Sequence, residues 1–216
     1  GEATAAINGR CGIIDLHGNV LMDFQYKYIQ PMGEGHYQVS YDNEEHNYYA
    51  TIINRNGEIL IPSSMQYRSI YAFHNNIAVA HQNAKWGLID DKGNHIGEFN
   101  YSFVEEWGEG YYKAEQGAKK NILRSDGSVV LNQWYNDVFK VQHGFFIFGN
   151  TIRKSKTNPK TRYIQGVAHV SGIIVFPMIF ERTQWCEDGK AIYAEIDEKP
   201  YILTLDGSIY DPAHSH

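Results

Sequence analysis

The chain has 216 residues, a net charge of −6 and a composition that is 43% hydrophobic and 14% aromatic. This supplies enough apolar material for one folded domain, while the acidic balance argues against general nucleic-acid binding. The longest apolar run, residues 172–180, is too short to cross a bilayer.

From the N-terminus onward the chain repeats itself. A glycine that ends a hairpin turn recurs at Gly18, Gly57, Gly93, Gly127, Gly172 and Gly207, at intervals of 39, 36, 34, 45 and 35 residues, the mark of a repeat architecture. The first hairpin reads Gly12-Ile13-Ile14-Asp15 before His17-Gly18, and the second Ile52-Ile53 before Asn56-Gly57. The third reads Gly87-Leu88-Ile89-Asp90 before Lys92-Gly93, and the last Ile202-Leu203 before Asp206-Gly207. Asn-Gly and Asp-Gly pairs favour tight turns because both residues accept positive φ. Eight residues after the glycine stands an aromatic (Tyr26, Tyr101, Tyr135, Phe180), displaced by two to Tyr67 in the longer second repeat. Ile29, Ile70, Val104, Val138 and Thr183 follow, then Met32, Phe73, Trp107, Val141 and Cys186, as further core columns. A second turn carries Gly35, Gly110, Gly144 and Gly189, with Asn76 in the same place in repeat two, since Asn also tolerates φ > 0. The segments between are short strands, and no window has a helical period. The fold class expected is all-β, with six repeats of three to four short strands.

Lys85-Trp86-Gly87-Leu88-Ile89-Asp90-Asp91-Lys92-Gly93-Asn94 resembles the signature of the bacterial WG-containing repeat, and the turn glycines and aromatic column extend the resemblance over nearly the whole chain. Elsewhere the Trp-Gly position holds Cys11-Gly12, Ala50-Thr51, Lys120-Asn121, Gln165-Gly166 and Pro200-Tyr201. The repeats fall near residues 10–41, 48–81, 85–116, 119–149, 163–195 and 200–211, forming a single domain over 1–211 before a disordered tail at 212–216. Residues 3–7 stand where the last strand of a repeat stands and would complete the sixth. That predicts a propeller-like closed toroid, which leaves no open sheet edge; the alternative is an open β-solenoid. The resemblance implies no particular activity.

Chemistry-bearing motifs are sparse: there is no nucleophile elbow, phosphate loop, Cys-x-x-Cys, His-Glu-x-x-His or EF-hand loop. The reading is therefore of a protein that is not an enzyme and has no cofactor or metal. Cys11 and Cys186 read as small buried hydrophobes. His36, His74 and His143, with Glu34, Glu105, Glu106, Glu109, Glu187 and Asp188, adjoin the second turn and could share one rim. Tyr28, Tyr37, Tyr48, Tyr49, Tyr71, Tyr111 and Trp134 offer rings for stacking on sugars or gripping a peptide. The long connection between repeats four and five carries Arg153, Lys154, Lys156, Lys160 and Arg162, and the equivalent connection between repeats one and two carries Asp42, Glu44 and Glu45. Insertions in repeat proteins carry binding, so these eight residues are the candidate site. The function expected is a non-catalytic binding or scaffolding module recognising a protein partner; the alternative is carbohydrate binding or glycan processing by rim aromatics and carboxylates. A monomer is expected. No signal peptide is recognisable and the chain starts at Gly1 rather than Met; a periplasmic or exported location is preferred to a cytoplasmic one.

Overall fold

The computed structural model describes residues 1–41, 49–152 and 161–212. The chain is all-β: the described residues form antiparallel sheets joined by tight turns, with a 3-10 turn at Ser63–Met65 in place of any α-helix. The first sheet joins β1 (Glu2–Ile7), β2 (Arg10–Asp15) and β3 (Val20–Tyr26), and the second β4 (Tyr28–Pro31), β5 (His36–Ser40), β6 (Thr51–Asn54) and β7 (Ile59–Ile61). The third joins β8 (Ser69–Ile70), β9 (Ile77–Gln82), β10 (Lys85–Asp90) and β11 (His95–Tyr101), and the fourth β12 (Phe103–Gly108), β13 (Tyr111–Gln116) and β14 (Lys119–Arg124). The fifth joins β15 (Asp137–Val138), β16 (Phe145–Ile152), β17 (Arg162–His169) and β18 (Ile174–Phe180), and the sixth β19 (Arg182–Trp185), β20 (Ala191–Ile196), β21 (Lys199–Thr204) and β22 (Ile209–Tyr210). By backbone contacts the chain forms two compact units, one of residues Gly1–Glu106 with Ser125–Gly127, the other of Trp107–Arg124 with Ser128–His216.

The hydrogen-bonded sheet is offset from the sequence repeat. At Tyr26, Tyr101 and Phe180 the aromatic after the turn glycine closes one sheet, and a single residue (Lys27, Ser102 or Glu181) leads into the next. Residues 3–7 accordingly lie in β1, which pairs with β2 from Glu2↔Asp15 to Ile7↔Arg10, in the first sheet. Tyr26, Tyr67, Tyr101, Tyr135 and Phe180 are all buried, as are Ile29, Ile70, Val104 and Val138. Tyr67 also ties consecutive repeats together, because its hydroxyl donates to the Gly93 carbonyl at 2.7 Å in the next hairpin turn; its burial pushes the phenol pKa up to about 12.

The glycine of each surviving Trp-Gly position answers a steric demand. A Cβ on Gly12 would stand 2.5 Å from the Met22 carbonyl oxygen and one on Gly166 2.7 Å from that of Phe176. At Gly87 it would enter the Phe99 ring. The strand paired with each of these glycines meets it at an irregular register, with shifts at Cys11/Ile13, Trp86/Leu88 and Gln165/Val167, and such a bulge bends the pairing locally.

The hairpin turns differ from the expected form. The turn glycines take φ between 77° and 97°, but the Asn or Asp before them does not. Each is a type I turn followed by a left-handed glycine, with Gly18 N–H donating to the Asp15 carbonyl and Asp15 N–H to that of Asn19. Turns with both central residues at positive φ occur instead at the other connections, at Asn83-Ala84, Glu34-Gly35 and Asn75-Asn76. Asn76 does replace glycine there, at φ 59°.

The aspartate at the head of the turn works as an acceptor. Asp90 takes the N–H groups of Lys92 and Asn94 at 2.9 and 2.8 Å and the Asn94 amide at 2.8 Å. Burial pushes its carboxyl up, but these donors outweigh burial and hold it below the usual carboxylate range. The Asn19 side chain and backbone do the same for Asp15. The backbone N–H groups of Asn76 and Asn75, at 2.8 Å each, lower Glu34. Carboxyl groups that titrate lower folded than unfolded supply stability that is full above the ordinary carboxylate pKa and is lost as the pH falls through the lowered values. Thermal unfolding followed by circular dichroism is expected to hold a constant midpoint from neutrality to about pH 5 and to fall steadily below it, with a shallower fall in Asp90→Asn. An identical slope in the variant would remove Asp90 from this account.

Candidate binding cleft

In the first unit a cleft of about 340 Å³ is lined by Tyr71, Ala72, Val79, Phe103, Val104, Glu105 and Glu106. It lies along two strands that end their sheets, β8 and β12. The Tyr71 N–H donates to the Val79 carbonyl at 2.9 Å, which continues the β8 pairing, and the residue is 53% exposed. Behind the cleft stands Trp86. Its indole stacks on His81 at 4.7 Å, meets Phe103 edge-on at 5.1 Å and lies 5.9 Å from Tyr71. The intact Trp-Gly pair thus holds the two aromatic walls, which neither Cys11 nor Ala50 would do at the same repeat position in the first two sheets.

Acid groups mark the mouth. Glu105 is exposed and Glu106 half-buried, and the Glu106 carboxylate accepts from His74 Nδ1 at 2.8 Å. Glu34 is spent on the next turn, as described. His36 is buried, stacked on Phe73 at 4.2 Å, and His143 occupies a left-handed turn position at φ 51°. Asp188 accepts from the Lys190 N–H at 3.0 Å. Among the described residues no three or more His, Cys, Asp or Glu side chains are placed to hold a metal ion. Cys11 and Cys186, expected buried, are half-buried free thiols. Cys11 occupies the column of Trp86, which is itself half-buried, and packs against the edge of a core cluster with Tyr26 and Ile29.

Of the residues selected from charge, Arg153, Lys154, Lys156, Lys160, Asp42, Glu44 and Glu45 lie outside the described residues. Arg162 is within them and pairs with Glu181 at 3.5 Å and Asp197 at 3.7 Å. Of the selected aromatics Tyr28, Tyr49 and Tyr71 are exposed, Tyr37 is buried, Tyr111 and Trp134 are half-buried, and Tyr48 lies outside the described residues. Phe103 was not among them. The sequence signal nearest to it is that Trp86 alone in its column keeps the motif tryptophan; that Phe103 is a neighbour of that indole is a fact of the structure.

The model of the WG containing repeat family matches residues 12–44, 51–86 and 86–119, three consecutive repeats that together span half of the chain. The chain belongs to the WG-repeat family. Its cleft is built from the second and third matched stretches, which meet at Trp86. A search of curated proteins finds no significant match to this WG-repeat chain. Among solved structures it is similar to the tricorn protease at 10% identity, over 94% of this chain and 26% of that one, with a TM-score of 0.38. It is similar to a eukaryotic initiation factor at 8% identity, over 93% and 58%, with a TM-score of 0.45. It is similar to the Neurospora crassa Pan2 WD40 domain at 14% identity, over 95% and 69%, with a TM-score of 0.32. The WG-repeat chain therefore spans about a quarter of the first of these proteins and 58% of the second. Likeness at this level fixes neither the arrangement of the sheets nor a function. No helix among the described residues is long and apolar enough to cross a membrane.

Proposed function

We propose that this WG-repeat chain is a non-catalytic binding module and that the cleft of repeat three is its recognition site. The observation that carries the reading is the pairing of an exposed Tyr71 with Phe103 over the one retained motif tryptophan, beside two carboxylates. Rigid rings on strand ends, with few polar groups to fix orientation, are what small recognition sites are made of. The charged connections, basic at 153–162 and acidic at 42–45, belong to the same proposal as a second contact surface. So does the closed propeller-like array, which small-angle scattering of the intact chain would separate from an open solenoid. The carbohydrate alternative is favoured by one feature, the exposed Tyr71 ring beside carboxylates. Peptide and glycan arrays probed with the wild type and Tyr71→Ala test both readings. At least one ligand class is expected to lose tenfold or more of its signal in the variant. Equal signals on every spot would remove the cleft as the site.

A further inference from the structure

We infer that the occupant of the cleft is a lysine or arginine side chain carried on an extended peptide. This rests on the cleft being the recognition site. Five of its seven lining residues, Tyr71, Ala72, Val79, Phe103 and Val104, are hydrophobic, and the remaining two are Glu105 and Glu106. A neutral sugar brings a ring of hydroxyl groups, and most of this lining offers them no partner, which makes burial there unfavourable. A long basic side chain divides the other way. Its methylene stem covers apolar wall while its charged head stays at the rim, within reach of aromatic rings and carboxylates.

The volume of about 340 Å³ is at the low end for a ligand site and suits one long side chain rather than an oligosaccharide. His74 Nδ1 on Glu106 Oε2 holds that carboxylate in place, and a carboxylate has about four acceptor sites, so one such bond does not saturate it. The net charge of −6 favours approach of a cation. A peptide fits better than a free amine because the cleft follows β8 and β12, each the terminal strand of its sheet, and terminal strands are where an extended chain adds.

The test is calorimetric titration of the intact chain with acetylated, amidated Val-Ser-Arg-Ser-Val, its citrulline counterpart and cellohexaose. The arginine peptide is expected to bind at least tenfold more tightly than the citrulline peptide. Glu105→Gln/Glu106→Gln is expected to erase that difference, and Tyr71→Ala to weaken the arginine peptide about tenfold. Near-ultraviolet circular dichroism of each variant checks that its packing is unchanged. Equal binding of the two peptides, both sensitive to Tyr71→Ala, would overturn the basic side chain while keeping the cleft. Binding of cellohexaose alone, sensitive to Tyr71→Ala, would replace the peptide by a glycan. Failure of all three probes to bind would overturn the inference, and binding indifferent to Tyr71→Ala would overturn both it and the cleft.

Discussion

Replacing Asn121 by Ala is expected to destabilise the fold by about 3–5 kcal/mol, because it strands several buried backbone groups at once. Asn121 stands where the repeat has the Gly of Trp-Gly. It is fully buried, and its amide makes four bonds. Its Oδ1 accepts from the N–H groups of Ile122 and Leu131 at 2.8 and 3.2 Å, and its Nδ2 donates to the carbonyls of Leu131 and Gln133 at 2.7 and 3.1 Å. The fourth sheet has three strands, and in place of a regular fourth, β14 meets the chain after it through the bridges Lys120↔Tyr135 and Leu123↔Val129. No bulged strand presses on this position, so a side chain fits, and the amide supplies the bonds that a ladder would have made. Asn121→Asp keeps the shape and removes the two donors. It also buries a carboxylate against the Leu131 and Gln133 carbonyls, so urea unfolding should show Asp at least as destabilised as Ala, and an Ala cost below about 1 kcal/mol would contradict the bonding described.

Gly127→Ala is expected to cost about 2–5 kcal/mol and Gly18→Ala only about 1–2 kcal/mol. The two glycines hold the same place in their repeats and the same backbone conformation, at φ 77° and 85°. The strain of a side chain in the left-handed region is therefore common to both. They differ in surroundings. A Cβ on Gly127 would lie 2.5 Å from the Ile96 carbonyl oxygen and 2.9 Å from Gly97 Cα, all backbone, whereas one on Gly18 meets nothing within 4 Å. The difference between the two variants in urea unfolding, at unchanged m-value, measures that close approach alone. Equal costs would show that conformation is the whole demand.

Much of the fold was legible in the chain. Period, strand content, the buried aromatic column and Asn76 at a positive-φ turn all follow from residue type and spacing, because they are local demands of turns and alternating strands. The offset between repeat and sheet was not legible. Which side of an aromatic the chain leaves a sheet depends on which strands hydrogen-bond to one another, as when β1 takes β2 as its partner, and residue type alone does not fix that choice. The turn type was misjudged at Asn56-Gly57 because the Asn54 side-chain oxygen, accepting from the Asn56 and Glu58 N–H groups at 2.9 and 3.0 Å, stabilises a turn in which only the glycine needs positive φ.

The site followed the same division. Composition selected charged connections and a set of tyrosines, and the structure gathers Tyr71 and Phe103, 32 residues apart in sequence, around Trp86. The sequence by itself determined where the chain turns and which side chains must be buried, since those are set by backbone sterics and by apolar residues avoiding water. The tertiary structure decided which exposed rings share a cleft and which Gly positions can become Asn, since both depend on how closely a neighbouring strand approaches.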